Sequence, residues 1–357
     1  MSKQDKKELR QQIACEWLEE NYLNYGSLRH DIVTDRLQIR VADLHSLEDA
    51  SLQNAPEGLQ FRGKERWRNL TDKDINTMVC QCVMESGVNI SVTEMWTALK
   101  SDMVPAVHPL REYINALPRY TPDQPDWIDF VAQQVRTLPN PPFKGGDKGL
   151  PHEGGDGEGL LWRKCFKKWF VAMVASWMKD EVVNHTVLVL VGRQGIFKTT
   201  WLDNLIPPEL RAYSSKLPLS GQISKDDRLR LCENGLLNID ELDAICGREM
   251  NIVKSLLTST DVNERAAYGR LKERRVRLAS FCASTNKREF LTDITGNRRW
   301  LPFEVESIQN PFHTIIPYEL LYAQAKAMVE EGYFAYWFDM EEMEALEAHN
   351  EECRAQE

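Results

Sequence analysis

The stretch Gly192-Arg193-Gln194-Gly195-Ile196-Phe197-Lys198-Thr199-Thr200 holds the residue types from which a phosphate site is built. Glycines permit a tight turn whose successive backbone N–H groups point inward, and such a turn ahead of a helix cradles phosphate oxygens. The general pattern is G-x-x-x-x-G-K-[ST]. Here the first Gly, the Lys and the Thr are in place, with an additional glycine at 195. Lys198 would neutralise the β and γ phosphates of a nucleotide, and Thr199 would offer its hydroxyl to Mg²⁺. Phe197 stands where the pattern has its second glycine. If the loop needs φ > 0 there, a phenylalanine is strained.

Further along, Gly235-Leu-Leu-Asn-Ile-Asp240-Glu241 reads as a buried strand ending in two carboxylates. Ligands of parallel sheets gather at the C-terminal ends of strands. Asp240 is therefore expected to hold Mg²⁺, directly or through water, and Glu241 to orient the attacking water. A third strand, Val276 to Thr285, is expected to lie between the other two and to end in Asn286, within reach of the γ-phosphate or the lytic water. Arg298 and Arg299 follow on a turn before the apolar run Trp300-Leu-Pro-Phe303. They fit either a solvated pair or an arginine that reaches into a neighbouring subunit's site. The second reading is the expectation, and the two arginines are not separable by sequence.

The elements that must position these groups are legible around them. Thr186–Val191 is an unbroken apolar, β-branched run, as in a strand covered on both faces, and a helix is expected to continue from Thr200 to Leu205. Trp162 to Lys179 has helical periodicity, and strands and helices alternate from there on, the signature of an α/β domain. Tyr318–Glu331 and Asp339–Glu352 read as helices joined by the aromatic knot Phe334-Ala-Tyr-Trp-Phe338. Towards the N-terminus, residues 3–22 read as a helix and Tyr22–Arg40 as strands about a turn at Thr34-Asp35. Thr71, the capping box Ser91-Val-Thr-Glu94 and His108 each open a helix. The resulting division is a mainly helical region, collar or winged-helix-like, over 1–138, a Gly/Pro-rich linker over 139–160, the α/β domain over 161–305, and C-terminal helices over 306–357.

Charge separates the regions further. The net charge of −10 opposes nonspecific adhesion of the whole surface to nucleic acid. Yet Arg265, Arg270, Lys272, Arg274, Arg275 and Arg277 are opposed within their own stretch only by Glu264 and Glu273. That stretch reads as a solvated hairpin, or as one that carries cations to a phosphate backbone in a sequence-independent, salt-sensitive way. Eight cysteines without a C-x-x-C pair argue against a zinc knuckle or a disulfide framework. Free thiols in a bacterial cytoplasm are expected. No apolar run of about 18 residues is present, and the start Met1-Ser-Lys-Gln-Asp-Lys-Lys-Glu lacks the apolar core of a signal peptide.

The order of phosphate loop, Asp-Glu strand, basic hairpin, Asn-tipped strand and paired arginines resembles superfamily 3 helicases. It is more closely similar to the virulence-associated protein E family of phages and pathogenicity islands. The resemblance lies in Gly192–Thr200, Arg265-Ala-Ala-Tyr-Gly-Arg270, Ala283-Ser-Thr-Asn286, Thr295-Gly-Asn-Arg-Arg-Trp-Leu-Pro302 and Asp31-Ile-Val-Thr-Asp-Arg36. It implies a P-loop NTPase of the extended AAA+ type preceded by a mostly α-helical N-terminal domain. The implied activity is ATP hydrolysis with Mg²⁺ by a replicative DNA helicase of a phage or mobile element. It would act as a ring, a hexamer being the expected size, on single-stranded or forked DNA. A nucleotide-dependent switch or loader that unwinds nothing is the alternative. Carried over by position, Lys198, Asp240, Glu241, Asn286 and Arg298 or Arg299 serve hydrolysis, and Arg265, Arg270, Lys272, Arg274 and Arg275 face DNA. Phe197 departs from the family's loop. No primase cluster precedes the loop, so a separate primase and other replication proteins would be partners.

Overall fold

The computed structural model describes residues 2–41, 66–138, 159–217, 224–240, 242, 247–264, 273–291 and 297–350. The chain forms two compact units, Met1–Pro109 and Leu110–Glu357.

The first unit contains α1 (Lys3–Leu18), β1 (Leu28–Asp31), β2 (Arg36–Val41), β3 (Arg66–Asn69), α2 (Asp72–Ser86), α3 (Val92–Leu99) and β4 (Ala106–Val107). Each helix starts on a capping box: Ser2 with Asp5, Thr71 with Asp74, and Ser91 with Glu94. Each box satisfies two of the N–H groups that a helix start leaves unpaired. Trp17, Leu18, Met78, Cys82, Met95 and Leu99 pack with Leu28 and Leu37 of the strands. Asp35 takes φ 55 in the turn between β1 and β2, a region that Asp tolerates better than most residues.

Helices predominate here as expected, and the strands expected over Tyr22–Arg40 join a four-stranded sheet, β3-β2-β1-β4; the unit closes at Pro109 rather than at residue 138. Two of the strands left little trace in the sequence. Arg66–Asn69 has Trp67 as its one apolar residue, and Ala106–Val107 pairs over two residues.

The second unit has α4 (Pro109–Asn115) at its start, then α5 (Trp127–Ala132), β5 (Val135–Thr137), α6 (Leu160–Met178), β6 (Val187–Val191), α7 (Lys198–Asp203) and β7 (Ser214–Lys216). There follow α8 (Lys225–Glu233), β8 (Leu236–Ile239), α9 (Gly247–Thr258), β9 (Asp261–Glu264), β10 (Glu273–Val276), β11 (Ser280–Thr285), β12 (Trp300–Ile308), α10 (Tyr318–Glu331) and α11 (Met340–Asn350). The main sheet runs β5-β12-β6-β11-β8-β7. All neighbours are parallel except β5, which is antiparallel at the edge. Every residue of β6, β8 and β11 is buried, as a parallel sheet covered on both faces requires. The α/β alternation expected from residue 160 onward is what the chain adopts.

Helix α6 lies against this sheet, with four cations in its first half and every residue from Trp169 to Trp177 buried. Trp169 Nε1 donates to Phe281 O, Trp177 Nε1 to Gly235 O and Ser176 Oγ to Leu278 O, so these three buried side chains end on backbone in or next to the sheet. Gly235 is required by this closeness, since a Cβ there would lie 2.7 Å from the Trp177 ring. Tyr322 of α10 stacks on Trp177 and donates its hydroxyl to Leu205 O just beyond α7. Helix α7 therefore ends at Asp203, two residues short of expectation.

The expected strand from Val276 to Thr285 is broken. Val276 ends β10, β11 begins at Ser280, and Arg277–Ala279 turn between them. The reason is Arg277, which is fully buried. Its guanidinium donates to Leu256 O, Leu257 O, Ser259 O, Ala279 O and Asn184 O. Arg277 therefore ties the hairpin to the last turn of α9, and it is not one of the cations presented to a ligand.

Among the described residues, no helix is long and apolar enough to cross a membrane. Cys15, Cys80, Cys82, Cys165, Cys232 and Cys282 are free thiols.

Candidate nucleotide site

Three strands, β6, β11 and β8, deliver their C-terminal ends side by side, and the groups singled out from sequence meet there. The loop that leaves β6 hangs on its neighbours. Gly192 N donates to Thr285 O (3.1 Å), and a Cβ on Gly192 would lie 2.8 Å from Val305 O of β12. Only glycine fits that approach. Arg193, Gln194 and Gly195 are exposed at the loop's crest, and Gly195 takes φ 84.

Phe197 takes φ 67 and ψ 18, the left-handed conformation in which the loop pattern has glycine. A phenylalanine there costs roughly 1–2 kcal/mol. Directly after it, Lys198 opens α7, largely buried. Its Nζ donates to Gly192 O (2.6 Å), Arg193 O (2.8 Å) and Asn286 Oδ1 (3.1 Å). Thr200 follows, half-buried in the first turn.

Thr199 Oγ1 donates to Asp240 Oδ1 at 3.0 Å. Ser284 Oγ lies 3.1 Å from Thr199 Oγ1 and 3.2 Å from Asp240 Oδ1. Two hydroxyls and a carboxylate oxygen thus converge. These are hard oxygen donors of the kind that suits Mg²⁺, which binds through one or two carboxylates and completes its shell with phosphate oxygens and water. Among the described residues no group of three or more His, Cys, Asp or Glu side chains could hold a metal, so this one-carboxylate set matches the sparse protein ligation of Mg²⁺ rather than an all-protein cage.

Burial pushes the Asp240 carboxyl up, but the ammonium of Lys216, 2.5 Å from Oδ2, together with Thr199 and Ser284, holds it below the usual carboxylate range. Beneath it, burial raises Asp203 of α7, which accepts from Asn238 Nδ2 at 2.7 Å.

Lys198, Thr199, Asp240 and Asn286 come together as expected from sequence. Glu241, Arg265, Arg270 and Lys272 lie outside the described residues. Of the hairpin, the base is formed by β9 and β10 in antiparallel register. Arg274 is exposed and pairs with Asp261 (2.9 Å), whereas Arg275 is mostly buried and pairs with Glu233 (3.3 Å). The linker expected over 139–160 falls outside the described residues up to 158.

Arg298 and Arg299 do not join the site. They sit on a short 3-10 turn, Asn297–Arg299, at the start of β12. β12 runs parallel to β6 with Trp300 opposite Val187 and Glu304 opposite Val191. The arginines therefore lie at the N-terminal edge of the sheet, and the loop leaves from the C-terminal edge. The strand between them spans about 13 Å at ~3.3 Å per residue. Among the described residues neither arginine makes an ion pair.

Their turn is held by α11. Asn350, wholly buried, donates from Nδ2 to Asn297 O (2.5 Å) and Trp300 O (2.9 Å), the carbonyls flanking the arginine pair. Glu342 of the same helix pairs with Lys164 (2.8 Å) and Lys168 (2.6 Å) of α6. Burial raises its carboxyl, but the two ammonium groups outweigh this and bring it down to about 2.

Two site residues were missed in the sequence. Ser284 lies two positions ahead of Asn286, just inside the end of β11, a period-two signal that was available. Lys216 ends a three-residue polar strand whose pairing with β8 has no periodic signature.

The chain resembles solved apo structures of the NrS-1 C-terminal region. One has 11% identity and a TM-score of 0.46, covering 95% of this chain and 74% of that one. A second has 10% identity and a TM-score of 0.42, covering 91% and 70%. No curated protein matches the sequence. The family model described as the virulence-associated protein E-like domain matches residues 156–355, more than half of the chain and all of the site above, and the protein belongs to that family.

Proposed function

We propose that the protein is a Mg²⁺-dependent ATPase of the P-loop, extended AAA+ type, and that it moves on DNA during replication of a phage or other mobile element. The observation that carries this reading is the meeting of Lys198, Thr199, Asp240, Ser284 and Asn286 at one sheet edge. The loop N–H groups and Lys198 would bind the β and γ phosphates, the ammonium exchanging its loop carbonyls for phosphate oxygens. Thr199 and Asp240 would hold Mg²⁺, which when bound neutralises phosphate charge and polarises the γ-phosphoryl group. Asn286 would orient the γ-phosphate or the attacking water, a task Glu241 shares in this reading.

Arg298 and Arg299 belong to the proposal through their distance from the loop. A second copy, stacked with its N-terminal sheet edge towards this site, would supply them, so the working form is a ring. The hairpin leaves the sheet at the same edge as the arginines and would carry its cations to single-stranded DNA.

The test is steady-state ATP hydrolysis with and without single-stranded DNA. Lys198→Ala is expected to lose at least about 100-fold in hydrolysis, and so is a double variant Arg298→Ala/Arg299→Ala. Mixing the two variants should restore part of the activity, because each supplies what the other lacks. Absence of hydrolysis in the wild-type chain overturns the reading. Hydrolysis that ignores DNA, or that never displaces a strand from a fork, favours a nucleotide-dependent switch.

A further inference from the structure

Among the described residues, only Asp35 and Phe197 adopt positive φ without being glycine. Asp35 sits in an ordinary turn. Phe197 sits in the nucleotide loop, where glycine would relieve the conformation at once. Backbone strain held at a binding loop points to a use for the side chain, and the surroundings of the Phe197 ring show one.

The ring meets Phe312 edge to face, with centroids 6.2 Å apart and planes at 81°. Phe312 is 75% exposed, and Ile315 nearby in the chain is 54% exposed. Such exposure is normally found on a frayed segment, but this one is ordered. Phe312 N donates to Asn310 Oδ1, and His313 N and Thr314 Oγ1 both donate to Asn310 O, each at 3.0 Å. The turn follows β12, whose C-terminal end lies at the same sheet edge as the loop, and β12 backbone touches Gly192. The bonded turn therefore places an aromatic ring beside the residue that precedes Lys198. The perpendicular contact leaves a ring face uncovered.

We infer that Phe197 and Phe312 form the platform on which the nucleobase stacks, with the phosphates anchored next to it at Lys198. This rests on the nucleotide reading given above and adds the base subsite to it. Every base offers a π face, and base–aromatic stacking is worth about ten-fold or more in affinity for one ring. The same stacking accounts for retention of Phe at a glycine position. The ring contributes to ligand binding, and its backbone strain is the cost of presenting it.

The experiment compares equilibrium binding of ATP and of inorganic tripolyphosphate, both with Mg²⁺, to the full chain. Tripolyphosphate carries the anchor and lacks the base. Phe312→Ala is expected to weaken ATP about ten-fold and leave tripolyphosphate unchanged, while Phe312→Trp restores ATP. Phe197→Gly is expected to narrow the preference for ATP over tripolyphosphate in the same direction, although it relaxes the loop. Because Phe312 is exposed, its removal does not endanger folding, and the thermal midpoint checks this. Equal losses for both ligands, or no loss for ATP, overturn the platform while leaving the phosphate site standing. A wild-type chain that binds neither ligand overturns the platform and the nucleotide reading together.

Discussion

The two edges of the main sheet use the same kinds of residue to opposite ends. At the C-terminal edge, polar groups face one another in a small cluster. Lys198 reaches the loop carbonyls and Asn286, and Asp240 shares its charge with two hydroxyls and Lys216. At the N-terminal edge, Arg277 is sealed by five carbonyl oxygens, and Arg275 is mostly buried against Glu233. A cation fixed by backbone carbonyls secures an element. A cation at an open loop, whose partners a phosphate can replace, is available to a ligand. The difference lies in burial and partners, and residue type alone carries none of it.

The largest effect that separates the edges is catalytic. Asp240→Asn keeps the shape and removes the charge. It should lower ATP hydrolysis on the order of 10²–10³-fold while shifting the urea midpoint hardly at all. A large loss of stability in this variant would mean that the C-terminal edge is structural as well.

Arg277→Met is the converse. It leaves the carbonyls of α9 and Asn184 short of donors inside the protein, so unfolding by urea should show a loss of about 3 kcal/mol. Unchanged stability would remove the contrast from the other side.

The smallest effect is expected at Arg274, whose side chain is 77% exposed beside Asp261. Arg274→Ala should change stability by less than about 0.5 kcal/mol. It should also reduce the salt dependence of DNA binding by about one unit of slope. A slope that stays the same would take this hairpin position off the DNA path.

The contrast also explains what was legible in the sequence. Lys198, Thr199, Asp240 and Asn286 were visible because each follows a short apolar run, and parallel strands bring such ends together. Capping boxes at Ser91 and Thr71 were visible because they are local. Arg277 reads in sequence as one more cation of the basic stretch, since most of its acceptors lie at the end of α9 and at Asn184, distant in the chain. In the N-terminal sheet the pair β1 and β2 was legible in Tyr22–Arg40, whereas β3, with Trp67 as its one apolar residue, and β4, two residues long, leave no alternation to read. Phe197 was the most informative departure, because a glycine pattern broken by an aromatic residue predicts a specific backbone angle, and the loop has it.

Asn350 has a bearing on genetics as well as on structure. From α11 it grips both flanks of the arginine turn, 53 and 50 residues away in sequence. A nonsense change at codon 349 would leave the phosphate loop, the Asp240 strand and both arginine codons intact. Under the proposed function it would nevertheless group, in a screen, with lesions in Arg298 or Arg299, because the turn that carries them would have lost its clasp.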